Sequence, residues 1–464
     1  MIVLFSRFLL FFSPTFLIPA IYAYYVGEEY SIYFLSFAIT FALGLSLAFF
    51  KFKEIKTKDA FTFVALSWIL VSAFGALPYI FFGINPINSF FESISGFTTT
   101  GASILNPEEL PKSLLLWRGL TQWFGGIGIV VLFLAVFPSL GKFAPAVFYA
   151  EFPTVTLEKV KPRIKDSAIV LCEVYILLTS ILFFLLLLLG LDTFDALIHA
   201  LTTVSTGGFS THSESIAAFK DWRVELVIAV FMFLGGTNFA LLYLALSGKM
   251  NPLRNLEFRI YLAATIFAIV ALTFLNLKDD IVSSFRVSAF QAISAITCTG
   301  YTTYNFNEWN DASKLFMIML MFLGGCAGST AGGLKIIRIY ILIKYSIQKI
   351  LKSVEPRAIK ILMIDDKIVD QELLEKVMTI FVLHIFIYII SAFLIAVSGY
   401  DLLTALSTSA ATLNIFGPGM GAAAECYADL KDHVKILLCF NMWLGRLEIF
   451  SVLILFASLY KKGW

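Results

Sequence analysis

The sequence predicts an all-α polytopic membrane protein, with four pseudo-symmetric pore-loop repeats around one pore and two extra transmembrane helices at the N-terminus. Three observations predict it. Hydrophobic residues make up 59% of 464 positions and charged residues only 14%, with a mean hydropathy of +0.87, where a soluble domain would carry roughly 25% charged residues. The apolar residues fall in long runs. Between Asp166 and Asp192 the only charge is Glu173, and between Asp59 and Glu108 it is Glu92, so each run supplies the roughly 20 apolar residues a spanning helix needs. A short motif ending in glycine recurs four times. No ten-residue alternation of the barrel type is present.

Apolar spans lie near 8–26, 31–50, 60–82, 114–137, 167–190, 224–247, 258–276, 315–343, 375–398 and 434–459. The first has Arg7 before it and small residues at Ala20 and Ala23, like a signal peptide. It is read as a retained helix because its run is long and another span follows at once. Shorter apolar stretches lie near 88–99, 194–205, 287–298 and 401–412, too short to span and suited to re-entrant segments.

Charge placement orients these spans. Lys51, Lys53, Lys56 and Lys58 follow the second span, and Lys142, Lys159, Lys161, Arg163 and Lys165 follow the fourth. Lys249, Arg254 and Arg259, then the stretch from Lys344 to Lys367, then Lys461 and Lys462 continue the series. The alternate connections carry acids instead: Glu28 and Glu29, Glu108 and Glu109, Asp279 and Asp280, Glu425 and Asp429. Excess Lys and Arg marks the cytoplasmic side, so both termini are expected in the cytoplasm and every short stretch on the outer side.

The repeat carries the functional reading. Phe90–Gly101 (FFESISGFTTTG) aligns without gaps on Ala289–Gly300 (AFQAISAITCTG). A third copy, ALIHALTTVSTG, ends at Gly207 and is followed by Gly208. A fourth, TSAATLNIFG, ends at Gly417. Each lies between paired spans, which gives repeats over 57–150, 160–250, 254–350 and 370–464 after an N-terminal pair of helices over 1–56. A cation crossing lipid must exchange its water for other oxygens, and rings of backbone carbonyls can supply them. A short helix that stops halfway turns its negative C-terminal end toward the cation. Glycine permits the extended, inward-facing backbone that must follow, and hydroxyls at Thr98, Thr99, Ser205, Thr206 and Thr299 add oxygens. Close helix packing would explain one such copy; four in one orientation point to a single pore. The ring expected from them consists of Thr99, Thr100 and Gly101; Ser205, Thr206 and Gly207; Cys298, Thr299 and Gly300; and Ile415, Phe416 and Gly417.

Two features lie inside spans beneath this ring. The eighth span contains Gly324, Gly325, Gly328, Ser329, Thr330, Gly332 and Gly333 within ten residues. No strand precedes this run and no Gly-Lys-Ser/Thr closes it, which excludes a phosphate loop. It reads as a broken helix lining a cavity, with close helix packing as the bland alternative. Arg446 stands near the middle of the last span, where a charge usually faces a pore or a buried partner. Glu448, two residues on, shares no helix face with it, so carbonyls of the broken segment are its expected partners. A purely structural tie between spans would use the same contacts. Lys335 and Arg338 are read as the inner end of the broken span, snorkelling to the cytoplasm.

The stretches SGFTTTGAS (95–103), RGLTQWFGGIGI (118–129), TVSTGGFSTH (203–212), FLGGTNFALLY (233–243), AITCTGY (295–301), FLGGCAGSTAGGLKIIR (322–338), NIFGPGMG (414–421) and MWLGRLEIF (442–450) carry a family resemblance. The chain resembles the Trk, Ktr and HKT superfamily of potassium transporters, nearest to the TrkH/TrkG type because of the two extra N-terminal spans. The resemblance implies a fourfold pseudo-symmetric potassium pore and a homodimer in the cell membrane. It also implies a cytoplasmic nucleotide-binding regulatory subunit of the TrkA/KtrA kind, through which alone NAD or ATP would act. It implies that glycine at all four filter positions goes with potassium. It makes residues 324–333 an intramembrane gate and Arg446 an electrostatic barrier beneath the filter. The fourth repeat departs from the pattern, with Asn414, Ile415 and Phe416 in place of hydroxyl residues.

Other classes find little support. No acid–base pair, Ser–His constellation, transition-metal set or nucleotide fingerprint supports an enzyme, and the common orientation of the repeats argues against an inverted-repeat transporter. A Ktr-like sodium-dependent or sodium-conducting transporter is the alternative within transport. The residues do not decide between proton or sodium coupling and channel-like conduction. Cys172, Cys298, Cys326, Cys426 and Cys439 show no disulfide or zinc spacing. His199 and His384 read as hydrogen-bonded core histidines, while Glu92 and Asp195 could deepen a cation well or cap a helix. The basic stretch 344–372 could dock a partner ring or meet anionic lipid.

Overall fold

Apolar length decides most of the architecture. The computed structural model describes residues 1–50, 57–128, 164–277, 280–354, 362–365, 367–449, 452, 453 and 455. Among them, six helical segments are long and apolar enough to cross a bilayer: Ile2–Val26, Ser31–Ala48, Asp59–Phe82, Ser167–Leu188, Leu256–Leu275 and Gln371–Val397. These are the two N-terminal helices and the leading helix of each repeat. The basic residues expected at 51–56, 142–163 and 461–462 lie outside the described residues, as do Asp279 and parts of the spans at 114–137 and 434–459.

Four short helices follow the leading helices: Pro86–Phe97, Thr193–Val204, Ile281–Ile296 and Leu402–Leu413. Each begins with the same device. Asn85, Asp192, Asp280 and Asp401 sit at the N-caps, and their side-chain oxygens accept from Asn88, Phe194, Val282 and Thr404 N–H at 2.9, 3.1, 3.0 and 3.3 Å. Such caps satisfy donors that a membrane interface would otherwise leave open. Three of these helices have 12 residues, about 18 Å at 1.5 Å per residue, against roughly 30 Å of hydrocarbon. They are too short to cross it.

Among the described residues, each trailing helix ends before it could cross the bilayer. They run Lys112–Gly126, Trp222–Gly235, Asp311–Leu323 and Asp432–Arg446. In repeat 2 the chain bends by 105° into a second helix, Phe239–Leu246; in repeat 3 it resumes only at Ile336–Val354. The sequence pointed to a break in repeat 3 alone. In the other repeats the first helical segment ends where the chain meets the pore-helix ends.

Faces sort by solvent. Phe184, Phe267, Phe274, Phe386 and Phe393 are exposed on the leading helices, a surface that would drive aggregation in water but that lipid solvates. Inward, the first N-terminal helix is locked to repeat 1 by rings. Phe16 stacks on Trp117 at 4.7 Å between centroids, and Phe12 meets Phe97 edge-on at 5.8 Å. Because lipid is as apolar as these side chains, the gain is close packing rather than removal from water. The described residues also hold a two-stranded hairpin, Met363–Ile364 with Lys367–Ile368. Its turn residue Asp365 accepts from Leu256 N–H at 3.0 Å, tying it to the start of the repeat 3 leading helix.

Candidate ion filter and gate

After each pore helix the backbone makes the same two left-handed steps. The first falls on Thr99, Thr206, Cys298 and Ile415, with φ of 60, 52, 54 and 61°, and the second on Gly101, Gly208, Gly300 and Gly417, with φ of 79, 79, 84 and 98°. Hydrogen bonds confirm the register. Thr100, Gly207, Thr299 and Phe416 donate N–H to the carbonyl five residues earlier at 2.9, 2.9, 2.9 and 2.8 Å. The expected register of repeat 2 is therefore corrected by one residue. Gly208, not Gly207, matches Gly101, Gly300 and Gly417, while Gly207 stands where the other repeats have Thr100, Thr299 and Phe416. In an ungapped reading either glycine of the pair can close the motif, and only the backbone turn distinguishes them.

These four glycines close a ring. A Cβ on Gly101 would collide with the Gly207 carbonyl oxygen, on Gly208 with that of Thr299, on Gly300 with that of Phe416, and on Gly417 with that of Thr100. Each loop thus touches the next, and the fourth returns to the first. Positive φ and the neighbouring carbonyl both require glycine here. The colliding carbonyls belong to equivalent residues, so one layer of oxygens circles the axis. The pore helices aim their C-terminal carbonyl ends at this region, which favours a cation.

The loops are braced in more than one way. In repeat 1, Thr98 Oγ1 donates to the Ile94 carbonyl at 2.7 Å, so Thr100 Oγ1 donates to Thr98 Oγ1, also at 2.7 Å. Repeat 3 repeats this with Thr297 and Thr299. In repeat 4, Tyr427 Oη donates to the Gly417 carbonyl at 2.7 Å. Outside the ring, fully buried Glu92 accepts from Arg118 Nε at 2.8 Å, Ser103 Oγ at 3.0 Å and Ile104 N–H at 3.0 Å. Glu92 is a brace within the protein. Asp195 accepts from Thr211 Oγ1 at 2.7 Å. His199 bonds the Asp195 carbonyl and Ser210 Oγ at 2.8 and 3.0 Å, and His384 bonds Asn414 Oδ1 at 2.9 Å, as hydrogen-bonded core histidines do. Cys172, Cys298, Cys326 and Cys439 are buried free thiols and Cys426 is half-buried.

Beneath the ring, the trailing-helix breaks share a pattern the sequence reading did not extract. A Cβ on Gly125, Gly235 or Gly445 would press on the last carbonyl of its own repeat's pore helix, at Phe97, Val204 or Leu413. The next residue is Gly126 in repeat 1, Gly236 in repeat 2 and Arg446 in repeat 4; Gly324 and Gly325 hold these places in repeat 3. Arg446 thus stands where the other repeats have glycine. Its Nη2 donates to the Gly125 and Gly126 carbonyls at 2.6 and 3.2 Å, and its Nη1 to Thr99 Oγ1 at 3.1 Å and the Thr330 carbonyl at 3.4 Å. Its guanidinium lies 5.1 Å from the Trp68 ring centre. The broken segment was expected to be the main partner; it supplies one long bond, and the repeat 1 helix end supplies the short ones.

The broken segment 324–335 crosses to repeats 2 and 4. Cys326 N–H donates to the Gly236 carbonyl at 2.8 Å, Thr330 Oγ1 to Gly235 and Val204 carbonyls at 3.0 and 3.1 Å, and Gly333 N–H to Asn414 at 3.1 Å. Ala327 N–H donates to the buried Glu257 carboxylate at 2.6 Å, and Lys335 Nζ donates to the Ala331 carbonyl. Lys335 and Arg338 are 6% and 4% exposed, and Arg338 pairs with Glu448, so the expected snorkelling to the cytoplasm does not occur. The broken segment folds back against its neighbours, which leaves both cations buried in protein. Sequence reasoning missed Gln122, Gly208, Glu257 and Tyr427. For Gln122 a signal existed: Arg118, Thr121 and Gln122 are polar residues inside an apolar helix.

Comparison with known proteins agrees with this fold. Residues 31–463 match the TrkH family model, described as a cation transport protein. The chain is 34% identical to the Trk system potassium uptake protein TrkH of Escherichia coli K12, covering 97% of this chain and 96% of the relative. It is 35% identical to the TrkG protein of the same strain over the same shares. The crystal structure of the potassium transporter TrkH from Vibrio parahaemolyticus superposes with a TM-score of 0.88 at 31% identity, covering 98% of this chain and 97% of the other. With a closed four-loop ring, broken trailing helices and these relatives along its whole length, the chain is a multi-pass membrane protein that belongs to the TrkH family of cation transporters.

Proposed function

We propose that this protein takes up potassium through a selective, gated pore. Each repeat (57–150, 160–250, 254–350 and 370–464) supplies one quadrant of the filter. The observation that carries the reading is the ring in which every loop glycine is closed off by its neighbour's carbonyl, since it stacks equivalent backbone oxygens around one axis. Potassium is held by the loops at Thr99–Gly101, Thr206–Gly208, Cys298–Gly300 and Ile415–Gly417, with Ser205 supporting the second. Residues Gly324, Gly325, Gly328, Ser329, Thr330, Gly332 and Gly333 form the gate with Arg446. The relatives' names as potassium uptake proteins of a Trk system support the ion and the presence of further components.

The protein works as a homodimer in the cell membrane with both termini cytoplasmic. A cytoplasmic nucleotide-binding subunit sets the gate, docking near the basic helix Ile336–Val354, where Lys349 and Lys352 are exposed. Gly101→Ser tests the filter. The added side chain must displace the Gly207 carbonyl from a left-handed backbone position, so potassium-over-sodium preference in proteoliposome flux is expected to fall. An unchanged ion ratio in correctly folded protein would overturn the filter assignment.

A further inference from the structure

Gln122 lies fully buried on the trailing helix of repeat 1 and reaches across to the loop of repeat 2. Its Nε2 donates to the Gly207 carbonyl at 2.6 Å, and its Oε1 accepts from Phe209 N–H at 3.0 Å. One carboxamide therefore clips the two peptide units that flank Gly208, the left-handed residue of that quadrant. We propose that Gln122 is the positioning residue of the second filter quadrant, and that it sets this quadrant's share of the preference for potassium over sodium. The inference rests on the filter reading above.

Two independent features carry it. In repeats 1 and 3 the ring-layer residue is a threonine whose hydroxyl bonds back to the end of its own pore helix. Repeat 2 has glycine at that position and no side chain to do the same. The space such a side chain would fill is occupied: a Cβ on Gly207 would collide with the Gln122 carboxamide carbon. Gly207 itself is outside the left-handed region, so its backbone would accept a side chain, and the three atoms nearest to such a Cβ all belong to Gln122. The brace that repeats 1 and 3 hold within the loop has been moved in repeat 2 onto the neighbouring repeat.

The second feature concerns the oxygen. The Gly207 carbonyl belongs to the layer that closes the ring, and an N–H aimed at it engages one of its two lone pairs. The second quadrant therefore offers an ion a carbonyl that is held in direction and partly committed, and removing the carboxamide frees both. A residue that only fills space would be replaceable by leucine, which has similar bulk but no donor or acceptor.

The test compares full-length Gln122→Leu, Gly207→Thr and the double variant Gln122→Ala/Gly207→Thr with the wild type in proteoliposomes. Rubidium uptake is read in competition with potassium or sodium, and thermal unfolding is read alongside. The Leu variant should lose about threefold to tenfold in potassium-over-sodium preference, the equivalent of one neutral hydrogen bond. Gly207→Thr alone should be impaired by collision. The double variant should recover preference, because the introduced threonine hydroxyl can bond Ser205 as Thr100 bonds Thr98. A Leu variant with wild-type preference overturns the proposal. So does a double variant no better than Gly207→Thr, a result that stays readable if the Leu protein fails to fold. Gly101→Ser measured beside them separates the two readings. If it changes the ion ratio while the Gln122 series does not, this inference alone falls; if it too is silent, the filter assignment falls.

Discussion

Replacing Arg446 tests whether the charge beneath the filter limits conduction. Its Nη1 is 3.1 Å from Thr99 Oγ1 at the inner end of the first loop. An ion held at that level sits roughly 6 Å from the guanidinium, and at an effective dielectric of about 20 two unit charges so placed repel by about 3 kcal/mol, or about a hundredfold in occupancy. Two substitutions divide this effect. Arg446→Gln keeps a donor for the Gly125 and Gly126 carbonyls and removes the charge. Arg446→Lys keeps the charge and loses the forked geometry. Rubidium efflux from loaded proteoliposomes should rise in the Gln variant, up to about the hundredfold that the repulsion sets. The Lys variant should stay near wild type. Equal flux in the Gln and wild-type proteins, both folded, would refute the barrier and leave Arg446 as a tie between repeats 1 and 4.

The remaining predictions address the broken segment and the outer brace. Deleting residues 326–331 removes the bonds from Cys326 and Thr330 to repeat 2 and from Ala327 to Glu257, and flux in the same efflux assay should rise; unchanged flux would remove the segment from gating. Glu92→Gln leaves the Arg118 charge 2% exposed without its carboxylate, which should cost about 3–5 kcal/mol of stability. Thermal unfolding in detergent would show the loss, and replacing both residues with methionine should recover most of it; a single variant as stable as wild type would mean that the pair contributes little.

Much of this was legible in the sequence because membrane constraints are severe. Apolar length placed all six long helices, and the short stretches at 88–99, 194–205 and 401–412 fall within a few residues of the observed pore helices. At 287–298 the helix starts earlier, at Ile281, because the amphipathic turn over Ile281–Arg286 precedes the apolar run. What sequence pattern could not give was the path of the chain after a break. Residues after a break do not advance 1.5 Å each across the bilayer, so Lys335 and Arg338, placed near the cytoplasm by counting, lie buried. Nor could periodicity show that Gly125, Gly235 and Gly445 answer one another, because each is defined by the pore-helix carbonyl it rests on. The Gly207–Gly208 pair was ambiguous for a similar reason: composition is identical in either register, and only φ and the five-residue hydrogen bond separate them.

The return of the fourth loop to the first has a consequence for how the chain is made. Trp443 Nε1 donates to the Ala65 carbonyl and Lys435 Nζ to Asn88, across 378 and 347 residues of sequence. Tyr427 N–H donates to the Ser103 carbonyl at 2.9 Å. A chain inserted from its N-terminus therefore holds repeat 1 in the bilayer without these contacts until the last repeat emerges. The closure entropy of so long a loop grows only with the logarithm of its length, so the finished ring is penalised little more than one closed by a shorter loop. The timing is different, because contacts this distant form late. The expected assembly intermediate is a horseshoe of three repeats, open on the side that Arg446 and Tyr427 later seal.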